Sequence, residues 1–61
     1  MRSVGDYEYE LRHDGTVIAT GRIQLEQVPA RGDVLPLGSV RATVEDVLPR
    51  RNGYRLILEQ A

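Results

Sequence analysis

LRHDGTVIATG, residues 11–21, decides the fold. Asp14-Gly15 marks a turn, and the length of that turn decides which flanking side chains share a face. Before it, Tyr7-Glu8-Tyr9-Glu10-Leu11-Arg12 alternates strictly. Tyr7, Tyr9 and Leu11 take one face; Glu8, Glu10 and Arg12 take the other, as in a half-buried strand. After the turn, Val17, Ala19, Gly21, Ile23 and Leu25 alternate against Ile18, Thr20, Arg22, Gln24 and Glu26. A two-residue loop sets Leu11 against Ile18 and leaves Val17 and Ala19 on the charged side. A three-residue loop of His13, Asp14 and Gly15 sets Leu11 against Val17, Tyr9 against Ala19, Tyr7 against Gly21, and Asp6 beside Arg22. It is a type I turn closed by a left-handed glycine. Because a one-residue slip turns an apolar set outward, the reading adopts three residues, with Gly21 giving a tyrosine ring room to lie across the backbone.

Four more features follow along the chain. Val28-Pro29-Ala30-Arg31-Gly32-Asp33 reads as a loop. Val34-Leu35-Pro36-Leu37 is a short extended segment, kept short or at an edge by Pro36. Gly38-Ser39 turns the chain into a strand over 40–48, where Val40, Ala42 and Val44 alternate and the phase slips at Glu45-Asp46. A β-bulge there keeps Val44 and Val47 on one face. Residues 49–53 form a hairpin loop with an Asn-Gly signal, and Tyr54, Leu56 and Leu58 of the last strand point inward. No segment carries a useful helical period. The expectation is five strands, about 6–13, 16–27, 33–37, 40–48 and 54–60. They make an all-β single domain over residues 1–61, a small antiparallel barrel or roll that buries the inward face.

GDVLPLGSVRATVEDV, within residues 32–47, resembles the middle of small SH3-like barrels: Gly-Asp, a short strand, a tight turn, then a longer strand. That resemblance implies an SH3-like architecture and a non-catalytic binding module, and it identifies no activity.

The 61 residues contain no cysteine, which excludes a disulfide framework and thiolate metal sites. Stability must come from packing, alone or helped by self-association. Met1-Arg2-Ser3-Val4-Gly5-Asp6 leads into charged alternation rather than an apolar run, so no export signal is expected. No stretch approaches a membrane span, and the expected location is cytoplasmic. The net charge of −1 argues against a nucleic-acid coat. All eight basic residues are arginine, which reads first as coding bias and second as a choice of planar guanidinium groups.

The chemistry-bearing residues read mostly as solvated surface. His13 stands alone in the turn with no nucleophile beside it. Asp6, Glu8 and Glu10 share a face through strand alternation, within reach of Arg12 and Arg22. Arg31-Gly32-Asp33 matches a cell-adhesion tripeptide by coincidence. No phosphate-cradling loop, zinc spacing or nucleotide fingerprint occurs, and no cofactor or metal is expected. Two features stand out. Ile18, Leu35 and Ile57 point away from the inward set and mark a self-association or partner interface. Arg50, Arg51 and Arg55 make a basic hairpin tip able to touch phosphate, although the tyrosines are all assigned to the inside and leave nothing for base stacking. The leading expectation is therefore a non-enzymatic cytoplasmic binding or assembly module that associates with itself or docks to a protein. The alternative is a small nucleic-acid-contacting barrel using Arg50, Arg51 and Arg55.

Overall fold

The computed structural model describes residues 5–51 and 53–60. Five strands fill most of that span: β1 (Gly5–His13), β2 (Thr16–Leu25), β3 (Val34–Leu37), β4 (Val40–Arg50) and β5 (Gly53–Gln60). They form one curled sheet in the order β2-β1-β5-β4-β3. Its edges β2 and β3 are not paired with each other, so the sheet closes only into a half-barrel.

The opening hairpin turns on two residues, not three. His13 faces Thr16, and Asp14 and Gly15 both have positive φ, at 51° and 81°. Two successive left-handed residues match the twist of the flanking strands better than a type I turn does. The apolar alternation survives because β2 carries a bulge: Arg12 faces Val17, Leu11 faces Ala19, and Ile18 is the extra residue. Beyond the bulge Tyr9 lies opposite Gly21 and Tyr7 opposite Ile23. The glycine does make room for a ring, but the ring is that of Tyr9. A Cβ on Gly21 would sit 2.9 Å from the Tyr9 hydroxyl oxygen. Val17, expected inside, is exposed.

The bulge in β4 lies where the Val44–Val47 spacing places it. Val44 faces Leu58, Asp46 faces Ile57, and Val47 faces Leu56, which leaves Glu45 as the extra residue. The loop before β3 is stitched to that bulge. Gly32 N donates to Val44 O at 2.8 Å, Val44 N donates to Asp33 O at 2.7 Å, and Arg31 Nε donates to Glu45 O at 3.0 Å. The Asp33 carboxylate accepts from Ala30 N at 2.9 Å. Arg31-Gly32-Asp33 thus has a structural role in closing its own loop.

The sheet is mixed rather than antiparallel throughout. β1 pairs with β5 in parallel, Tyr9 beside Leu56 and Leu11 beside Leu58. The cause is elementary: when every connection reverses the chain, first and fifth strands run the same way. Pairing them must therefore be parallel. This pairing puts β5 at the centre of the sheet, and there Leu56 and Leu58 are fully buried. Tyr7, Leu11, Ala42 and Val44 complete the core on the concave face. Each fully buried Leu or Val adds about 1.5–3 kcal/mol relative to exposure. Among the described residues, no helix is long and apolar enough to cross a membrane.

Candidate functional site

Parallel pairing of β1 with β5 brings oppositely charged side chains together on the convex face. Glu8 lies beside Arg55, and Arg12 beside Glu59. Arg55 Nη1 and Nη2 donate to Glu8 Oε1 at 3.3 Å and Glu10 Oε1 at 3.0 Å. The other Glu10 oxygen accepts from Arg12 Nε at 2.6 Å. On the far side Arg22 reaches Asp6 at 3.1 Å and Glu8 at 3.8 Å. The result is a continuous chain, Arg12–Glu10–Arg55–Glu8–Arg22–Asp6, across β1, β2 and β5. The Arg12 guanidinium, then that of Arg55, holds the Glu10 carboxyl below its ordinary range. Hydrogen bonding to Glu10 raises the Arg55 guanidinium in turn.

This network explains Ile57. The residue belongs to the convex face, as its register with Glu10 and Asp46 requires, yet it is only 8% exposed. Arg55 precedes it by two residues on the same strand and face, and an arginine covers apolar neighbours with its aliphatic stem. The three residues assigned to an interface are therefore separated. Ile18 is half exposed at the bulge of β2, Leu35 is half-buried and packed against the core, and Ile57 is buried. Strand β1 lies between Ile18 and Ile57.

At the β4–β5 end the network opens into a groove of about 490 Å³, lined by Arg22, Arg50, Arg51, Tyr54 and Arg55 with Asp6 and Glu8. The structure thus brings Arg50, Arg51 and Arg55 together, as the hairpin-tip reading expects, and adds Arg22. Among the described residues the side chains of Arg50 and Arg51 have no hydrogen-bond or ion-pair partner. Asn52, part of the expected turn, lies outside the described residues. Gly53 (φ 144°) brings the tip against β1: a Cβ there would sit 3.1 Å from Asp6 O.

Tyr54 corrects the inward assignment. One side of its ring stacks on Tyr7, with centroids 5.9 Å apart and planes inclined by 22°, and the residue is 38% exposed. Its alternation with Leu56 and Leu58 points inward, but it stands near the end of the sheet, opposite Pro49, where the core has run out. Sequence gave one usable signal for this, the adjacent Gly53.

At the opposite end, His13, Asp14 and Glu59 bring one donor atom each within 4.8 Å of one another. Asp14 N donates to the Glu59 carboxylate at 2.9 Å, so the cluster anchors the β1–β2 turn to β5. The inner face opens between the β1–β2 hairpin and the β3–β4 turn, in a cleft of about 430 Å³ floored by Tyr9, Leu11 and Val40.

No protein-family model, curated protein or solved structure matches the chain.

Proposed function

We propose that the chain is a non-catalytic assembly module that associates with a second copy of itself through strand β2. The observation that carries this reading is the contrast between the two sheet edges. β3 is four residues long and contains Pro36, which offers no N–H, so it is a poor template for pairing. β2 is ten residues long, contains no proline, and has Arg22 as its one charged side chain. Val17 and Ile18 are about half exposed there. A long, weakly charged edge of this kind pairs with another strand unless it is blocked.

Two further features agree. The exposed surface is 4481 Å² for a 6.9 kDa chain, against roughly 4,000 Å² for a closed monomer of that mass. Among the described residues six buried side chains form the core cluster, and the sequence has no cysteine for a disulfide to reinforce it; chains of this size commonly gain stability by association. The net charge of −1 offers little repulsion between copies. Antiparallel pairing of β2 with its copy is isologous and closes as a dimer. The SH3-like character of this module is part of the same reading and rests on the β3–turn–β4 unit.

Sedimentation equilibrium tests the reading. The expected result is a dimer of the 6.9 kDa chain, converted to monomer by the double substitution Val17→Lys, Ile18→Lys with the circular dichroism spectrum unchanged. A wild-type chain that stays monomeric at roughly 100 μM, where even about 5.5 kcal/mol of association would show, overturns it.

A further inference from the structure

A second surface, distant from the proposed dimer edge in role and chemistry, is the groove at the β4–β5 end. Among the described residues, four arginines and two carboxylates line it, a local charge of 4 − 2 = +2 on a chain whose net charge is −1. The arginines divide into two pairs. Arg22 and Arg55 are engaged by Asp6, Glu8 and Glu10 and form a braced wall. Arg50 and Arg51 are exposed and carry no acidic partner among the described residues. Tyr54 lines the same groove, its ring stacked on Tyr7 and partly open to solvent.

An aromatic ring and uncompensated guanidinium groups lining one groove are the combination that a phosphate ester with an aromatic base recognises. The ring accepts the base by stacking, and the guanidinium fork accepts phosphate oxygens. The volume, about 490 Å³, falls in the range of small-ligand sites. A nucleoside monophosphate, carrying close to two negative charges near neutral pH, matches the local charge.

We propose that this groove is a nucleotide-binding site, in which a base stacks on Tyr54 and its phosphate is held by Arg50 and Arg51. The same chemistry comes from a free mononucleotide or from one unit of a single strand, so the experiment includes both. Binding of fluorescent (dT)12, adenosine monophosphate and inorganic phosphate is measured by anisotropy and competition on the full chain. The expected result is that the oligonucleotide or the mononucleotide binds and that inorganic phosphate competes more weakly. Arg50→Ser with Arg51→Ser abolishes binding of both. Tyr54→Leu weakens it about fivefold or more, the smallest effect of losing one stacked base, and Tyr54→Phe restores it. If two phosphates of a strand are engaged, raising salt fourfold lowers its affinity roughly sevenfold. Tighter binding of (dT)12 than of the mononucleotide identifies a strand as the ligand; equal binding per site identifies the free nucleotide. No binding at low salt overturns the proposal. So does binding in which inorganic phosphate competes equally well and Tyr54→Leu changes nothing. Should Tyr54→Leu fail to fold by circular dichroism, the arginine pair, which is exposed, and the phosphate competition decide alone.

Discussion

Arg55 on β5 donates to Glu10 on β1 at 3.0 Å, across a parallel strand pair, while Arg12 takes the other oxygen of the same carboxylate. One carboxylate thus serves two guanidinium groups and links the N-terminal hairpin to the central strand.

A pH dependence follows with a definite sign. The fold holds the Glu10 carboxyl below its ordinary value of 4.5, mainly through Arg12 and then Arg55. A group favoured as its anion contributes stability that is present above the ordinary value and lost as pH falls through the lowered one. Thermal melts between about pH 5 and about pH 3 should therefore show a steeper loss for the wild type than for Glu10→Gln. Parallel curves would show that the network adds no acid-labile stability.

The turn geometry predicts unequal tolerance at neighbouring sites. Asp14 and Gly15 are both left-handed, so Asp14→Ala and Gly15→Ala should each cost about 1–2 kcal/mol, and Asp14→Gly little. A three-residue type I turn has Asp14 in a right-handed conformation and tolerates Asp14→Ala. Urea denaturation of the three variants distinguishes the two turns.

Gly21 and Tyr9 should behave as a coupled pair. A methyl group on Gly21 meets the Tyr9 hydroxyl oxygen at 2.9 Å and Cζ at 3.0 Å, so Gly21→Ala should destabilise by about 1–3 kcal/mol. Adding Gly21→Ala to Tyr9→Leu should cost much less, giving a coupling of at least about 0.5 kcal/mol in a double-mutant cycle. Strict additivity would contradict the ring-over-glycine contact.

Ile57 should act as a buried residue despite its position on the charged face. At 8% exposure, Ile57→Ala should cost about 2 kcal/mol or more, where an exposed isoleucine would cost almost nothing. The same denaturation series, including Val34→Ala on β3 as the exposed control, decides this.

Much of the fold was legible because its signals are local. Strand limits follow from alternation, and the β4 bulge follows from the three-residue spacing of Val44 and Val47 against the evenly spaced Leu56 and Leu58. The opening turn is not legible from alternation alone, because turn chemistry overrules it. Asp14-Gly15 is itself a two-residue turn signal, and the conflict it creates is absorbed by an extra residue, Ile18, that no periodicity argument reveals in advance. The parallel pair was missed for another reason: which strands become neighbours is a non-local fact. Yet its direction was deducible, since a chain that reverses four times brings first and fifth strands into the same sense. The burial of Ile57 and the exposure of Tyr54 have one source. Burial depends on how far the sheet extends and on what long side chains lie beside a residue, and neither is encoded in a two-residue period.

The central position of β5 also bears on how the chain is made. Glu8 and Arg55 are 47 residues apart in sequence, and neither the β1–β2 hairpin nor β3 with β4 can finish its sheet without the strand between them. During synthesis the N-terminal hairpin must therefore wait, with both flanks bare, until residues 53–60 have emerged from the ribosome. Such late, long-range closure slows folding and prolongs the interval in which one nascent chain can pair with another.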